Sequence, residues 1–148
     1  MIAVNRLDHV GIRVRDFACT VDFYQQFGFN VIREDLQEHV VVLRNAAGAE
    51  LNLLDSADTP NDTTVTGSNI LMDQAFRHPG YTHIALQVAD IDVSLRGIEA
   101  AGITVTEGPV TFGDGKTSIF FRDPDRNVIE LTQLPADSGS RHDREAGR

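Results

Sequence analysis

Apolar and polar positions alternate with period two in two separate stretches of this chain. In the first, Val10, Ile12 and Val14 alternate with His9, Gly11 and Arg13; in the second, Ile84, Leu86 and Val88 alternate with His83, Ala85 and Gln87. One-faced alternation is the pattern of a half-buried strand. Each stretch leads into an aspartate, Asp16 or Asp90, at the position of a helix N-cap, where a carboxylate accepts from backbone N–H groups that lack helical partners. The spacing then predicts a helix over 17–27, with Val21, Phe23, Tyr24 and Phe27, and another after Asp90, with Val93, Ile98 and Ala101 near one face. Gly28 and Gly102 stand where such helices stop. Strand-like runs follow at 29–33, 39–44 and 49–54, and again at 104–107, 117–122 and 127–133, separated by turn-forming residues.

The two halves read as copies. A constant shift of 74 superposes His9 on His83, Val14 on Val88, Asp16 on Asp90, Gly28 on Gly102 and Val31 on Val105. The motifs Glu50-Leu51 and Glu130-Leu131 close the copies at an offset of 80, which puts a six-residue length difference into their later loops. Each copy is therefore strand, helix and three strands, an α+β arrangement. Module 1 covers about 6–55 and module 2 about 81–134, within a single domain over 1–134. Neither half is large enough to cover its own sheet, so the halves are expected to pair. Residues 55–80 form a polar connector, with a short helix expected over 69–76 on the apolar side chains of Ile70, Leu71 and Phe76. Residues 135–148 have no hydrophobic pattern and are expected to be disordered.

Composition narrows the function classes. The formal net charge of -9 opposes binding to nucleic acid and offers no basic patch to an anionic membrane surface. No apolar run approaches the length of a membrane span and residues 1–6 lack the pattern of a signal peptide. The lone cysteine, Cys19, excludes an internal disulfide and is expected to be packed in its helix. A cytoplasmic location fits best.

Alternation also says where the chemistry points. His9 and His83 lie opposite the apolar face of their strands. Glu50 alternates with Leu51, and Glu130 with Ile129 and Leu131, so all four side chains fall on the non-core face of their sheets. A single histidine or glutamate in such a place usually just meets water. Two of each, duplicated and sharing a face, point to a metal site. Two neutral imidazoles and two carboxylates balance one divalent cation, and mixed N/O donors suit Zn, Ni, Co, Mn or Fe without choosing among them.

These motifs, Leu7-Asp8-His9-Val10-Gly11-Ile12, Asp22-Phe23-Tyr24, Thr82-His83-Ile84-Ala85 and the run from Phe121 through Asp123-Pro124-Asp125 to Glu130-Leu131, make the chain similar to the vicinal oxygen chelate superfamily. That superfamily includes glyoxalase I, methylmalonyl-CoA epimerase, extradiol dioxygenases and bleomycin resistance proteins. The resemblance implies paired βαβββ modules whose curved mixed sheet forms a cup around one divalent metal ion held by His9, Glu50, His83 and Glu130. The four-ligand pattern most resembles glyoxalase I, which implies a lyase or isomerase moving a proton through a metal-stabilised enediolate, with Glu130 as base and Glu50 as the alternative. Acyl-CoA epimerase, extradiol dioxygenase and a non-catalytic drug- or metabolite-binding protein are the competing readings. Arg13 matches a substrate-binding arginine of glyoxalase I, so the substrate is expected to be a small molecule, such as a glutathione or CoA thioester adduct. Leu54 and Pro79 depart from residues that glyoxalase I uses around glutathione. Two short modules with open sheet edges also predict a homodimer.

Overall fold

The computed structural model describes residues 1–55 and 68–136. The chain divides into two compact units, one before Ser68 and one from Ser68 onward. In the first unit the order is β1 (Val10–Arg13), α1 (Phe17–Gln25), β2 (Asn30–Asp35), β3 (Val40–Arg44) and β4 (Glu50–Leu54). The second unit repeats it as β5 (His83–Val88), α2 (Ile91–Ala100), β6 (Val105–Thr111), β7 (Thr117–Arg122) and β8 (Val128–Gln133). Each unit is thus the βαβββ module expected from the alternation, and the class is α+β.

Each module holds one four-stranded mixed sheet, ordered β1-β4-β3-β2 and β5-β8-β7-β6. The first strand pairs in parallel with the last, and the other neighbours are antiparallel. A parallel pair cannot be closed by a tight turn and needs a long crossover. The helix supplies it, carrying the chain from one sheet edge to the other before two hairpins bring it back.

Local chemistry explains where the helices begin and end. Asp16 and Asp90 have extended backbones, and their carboxylates accept from the N–H groups of Cys19 and Val93, each at 2.9 Å. Past the helix ends, Gly28 and Gly102 take φ of +80° and +73°, a left-handed conformation that costs glycine little.

The core of module 1 gathers Ile12, Val14, Phe23, Tyr24, Phe29, Val41, Leu43, Leu51 and Leu53. Module 2 gathers Ile91, Ile98, Ile119, Phe121, Ile129 and Leu131. Truncating one such side chain to Ala typically costs about 2–5 kcal/mol.

Three expectations are corrected. Cys19 is exposed, because α1 turns Thr20, Phe23 and Tyr24 inward and Cys19 lies about 100° around the helix from Thr20. In α2 the buried residues are Ile91 and Ile98, while Val93 is 55% exposed and Ala101 is also exposed. Residues 69–76 form no helix; a single turn over 70–73 is followed by bends, with Asn69 Oδ1 accepting from Leu71 and Met72 N–H. Those bonds cap a first turn as at a helix N-terminus, and a single turn without continuation is not a helix. The rest of the connector, 56–67, and tail residues 137–148 lie outside the described residues.

Because the cap is duplicated, its loss should be felt twice. Asp16→Ala and Asp90→Ala should each lower unfolding free energy by about 1 kcal/mol. Urea denaturation would measure this, and no loss in either variant would mean the capping bonds contribute nothing net.

Candidate metal centre

The strand register decides which side chains meet. In module 1, Val10 is opposite Leu51 and Gly11 opposite Asn52; in module 2, Ile84 is opposite Ile129 and Ala85 opposite Glu130. Leu43 is paired with Leu51 as Phe121 is with Ile129. The last two strands of the modules are therefore related by a shift of 78, not 80.

The hairpin turns agree. Ala49 N–H donates to Asn45 Oδ1 and Asn127 N–H to Asp123 Oδ1, both at 2.9 Å, and Gly48 and Arg126 share a left-handed backbone. The length difference is thus four residues, in the β2–β3 and β6–β7 connections, where β6 runs on to Thr111. Glu50 corresponds to Val128, and the counterpart of Glu130 is Asn52. The expected equivalence of the two glutamates is corrected on this point, although all three of Glu50, Asn52 and Glu130 share the non-core face.

Module 2 brings its two expected residues together. His83 Nε2 stands 3.1 Å from Glu130 Oε2, with both side chains partly covered. Ser118, fully buried on β7, donates its hydroxyl proton to Glu130 Oε1 at 2.6 Å. Thr82 Oγ1 lies 2.9 Å from His83 Nδ1. A hydroxyl both donates and accepts, so Thr82 suits either imidazole tautomer, including the one with a proton on Nδ1 and a free lone pair on Nε2. Phe120 packs its ring edge-on to the imidazole, with centroids 6.1 Å apart.

The spacing of this pair suits two of the three or four ligands that a divalent cation takes from a protein. Two ligands about 2.1 Å from one ion at a right angle stand about 3 Å apart, and ligating histidines characteristically have their other nitrogen hydrogen-bonded.

Module 1 is arranged differently. His9 directly precedes β1, and its Nδ1 lies 2.9 Å from Asp8 Oδ2, the kind of carboxylate partner that orients a ligating imidazole. That bond, first, and the neighbouring positive charges hold the Asp8 carboxyl below its ordinary range. Glu50 Oε2 accepts two N–H bonds from Arg44, at 3.1 and 2.7 Å. Arg13 ends β1, opposite Leu54, on the face that His9 and Gly11 share. Within either unit, no three His, Cys, Asp or Glu side chains among the described residues form a metal-sized cluster. The structure joins His83 with Glu130 and joins Glu50 with Arg44.

Ser118, Thr82, Asp8 and Asn52 were not singled out from the sequence. Ser118 carries a legible signal, a small hydroxyl on a strand that otherwise turns Phe120 and Arg122 to the same face. Asn45 and Asp123, as matching turn residues, carry the signal for the true offset.

A second feature of module 2 anchors the segment before β5. Arg122 Nη2 meets Asp73 Oδ1 at 2.9 Å, its Nη1 donates to Thr106 Oγ1, and Asn69 N–H donates to Asp73 Oδ2 at 2.6 Å. Asn69 Nδ2 adds a bond to the carbonyl of Arg126.

The family model described as Glyoxalase/Bleomycin resistance protein/Dioxygenase superfamily matches residues 6–131. The chain belongs to this superfamily. A virulence protein from Salmonella typhimurium is 28% identical over 135 residues, covering 88% of this chain and 85% of that protein. Its crystal structure superposes with a TM-score of 0.63 at 26% identity, covering 90% of this chain and 97% of that one. The lactoylglutathione lyase of Agrobacterium tumefaciens gives a TM-score of 0.62 at 20% identity, covering 88% of this chain and 94% of that one. A transposon-encoded bleomycin resistance determinant gives 0.61 at 20%, covering 88% and 98%. At these identities the last two show the fold shared with the superfamily. No helix among the described residues is long and apolar enough to cross a membrane.

The Asp73 anchor makes a pH-dependent prediction. The Asn69 N–H, first, and Arg122, next, hold the Asp73 carboxyl below its ordinary value. A carboxyl lowered on folding contributes stability above its unfolded pKa, and that contribution is lost as pH falls through the folded value. Asp73→Asn should therefore lower the urea midpoint at about pH 7 and cost progressively less below about pH 4. An equal shift at about pH 7 and pH 3 would show that Asp73 acts through shape, not charge.

Proposed function

We propose that this protein is a divalent-metal-dependent lyase or isomerase of the glyoxalase I kind, acting on a small molecule that presents two adjacent oxygens. The observation that carries the reading is the His83–Glu130 pair at 3.1 Å, in which each side chain is oriented by a hydroxyl. A side chain that merely solvates a surface has no need of such support. His83 and Glu130 are the ligands offered by the second module and His9 the one offered by the first. Glu50 stays a candidate fourth ligand and alternative base on its sequence position alone.

A Zn, Ni, Co, Mn or Fe ion, when bound, supplies Lewis-acid polarisation of the two substrate oxygens. Glu130 would take the proton from the neighbouring carbon through Oε2, the oxygen not held by Ser118, when that oxygen is not holding the ion. Ser118 holds Oε1, which fixes the carboxylate plane and spares Oε2 from rotating away. A base of this kind contributes about a hundred- to ten-thousand-fold in rate. Arg13, on the His9 face, offers a guanidinium to an acidic group of the substrate, as in a glutathione or CoA thioester.

The protein is also proposed to be a homodimer. Each sheet has two edge strands, β1 and β2 in one module and β5 and β6 in the other, and Val31 and Ile32 on β2 are exposed apolar side chains.

Protein purified without added metal and analysed for elements should hold one divalent ion per site. His83→Ala and Glu130→Gln should lose it while keeping a native circular dichroism spectrum. Full metal content in both variants would defeat the proposal. With saturating metal, Glu130→Gln should turn over methylglyoxal and glutathione, or the true substrate, at least about a hundredfold more slowly. Near-normal turnover would leave Glu130 as a ligand only. Sedimentation at micromolar concentration should give the mass of two chains, and a monomer would remove the dimer without touching the metal reading.

A further inference from the structure

We infer that Asn52, not Glu50, is the first module's partner to His9 on the ligand-bearing face, contributing its amide oxygen Oδ1 as a neutral metal donor. The inference rests on the metal reading above and specifies its donor set.

Three observations converge on Asn52. First, the register makes it the counterpart of Glu130: Asn52 is opposite Gly11, two residues past His9, as Glu130 is opposite Ala85, two residues past His83. Asn52 therefore stands to His9 as Glu130 stands to His83. Glu50 is one step away along the strand, and two residues of strand span about 7 Å. Second, Asn52 Oδ1 is buried and has no hydrogen-bond partner among the described residues. Buried acceptors left without a donor are rare and call for an explanation, and a bound cation is one that suits a carbonyl oxygen. Third, Glu50 already has a partner, since Arg44 donates to its Oε2 twice from the position directly across the β3–β4 ladder. A metal at Glu50 would have to share that carboxylate with a guanidinium.

The substitution changes the charge of the centre. An Asn52 amide brings no charge to a divalent ion, where a Glu50 carboxylate would bring one. The first module's share of the donors, His9 and Asn52, is therefore neutral, and a weakly held neutral donor favours an anionic substrate oxygen as an added or replacing ligand.

Titration of the full chain with Co(II), followed by calorimetry and by the visible Co(II) spectrum, tests the assignment. Asn52→Asp keeps the size of the side chain and adds a carboxylate, so it should tighten Co(II) binding by about tenfold or more. Asn52→Ala should weaken binding by about tenfold or more and change the Co(II) spectrum. Glu50→Gln should leave the affinity within about twofold. Loss of affinity in Glu50→Gln with unchanged binding in both Asn52 variants would overturn the inference in favour of Glu50. Unchanged binding in all three, with loss in His83→Ala, would overturn it while leaving the metal reading intact. A wild-type chain that binds neither Co(II) nor Ni(II), Mn(II) or Zn(II) would overturn the metal reading itself. Asn52→Asp should keep a native circular dichroism spectrum although a carboxylate without a donor costs some stability in the metal-free chain, so its affinity can be read even where Asn52→Ala folds poorly.

Discussion

Parallel pairing between the first and last strand of each module is the constraint on which the rest depends. Two parallel neighbours cannot be joined by a hairpin, so the chain between them must leave the sheet and return. In both modules it does so by a helix that crosses to the far edge, followed by two antiparallel returns that end beside the starting strand. The pairing brings His83 alongside β8, where Glu130 sits, although the two are far apart in sequence. The histidine and the carboxylate meet because the topology makes their strands neighbours.

The same pairing divides each sheet into two faces of opposite character. Leu51, Leu53, Ile129 and Leu131 point to the helix side and are almost wholly buried, while Asn52 and Glu130 point away. The helix side supplies stability by apolar burial, at roughly 25 cal/mol per Å2 of area removed from water. The opposite face can then carry polar groups whose placement serves chemistry. Ser118 shows the two demands meeting. It is buried and polar, and its cost is offset by a short hydrogen bond to a carboxylate, among the stronger hydrogen bonds in proteins.

Much of this was legible in the residues, and the part that was not has one physical source. Alternation fixed which face His9, His83, Glu50 and Glu130 occupy, because side chains on a strand point to opposite sides with period two. The caps Asp16 and Asp90 and the stops Gly28 and Gly102 were legible because they act within a few residues of themselves. Register was not. Offsets of 78 and 80 are both even, so either one leaves every side chain on the same face, and face arguments cannot tell them apart. The Glu-Leu motif suggested the wrong offset because Leu51 and Leu131 are both core residues, one step apart in equivalent positions. Helix faces were misread for a related reason. Cys19 and Val93 belong to nine- and ten-residue helices, where only a narrow stripe is buried and a neighbour of that stripe is already in water.

The arginines at equivalent positions explain why Glu50 exists at all. Arg44 and Arg122 both end the third strand of their module, and each lies across the ladder from the first residue of the last strand. In module 1 that residue is Glu50, and the guanidinium is neutralised across the ladder. In module 2 it is Val128, which can accept nothing, and Arg122 instead reaches Asp73 and Thr106. The mostly buried Arg122 must find a carboxylate or carry the cost of an unpaired charge, whereas the half-exposed Arg44 gains more modestly from its own. One copy found it on its own sheet, and the other found it on the segment that precedes β5. Glu50 is accounted for by this pairing without any metal, whereas the amide oxygen of Asn52, like a few other buried polar atoms, has no partner among the described residues. Local rules are expected to fail where function overrides folding. Of this pair of positions, it is Asn52 that breaks such a rule.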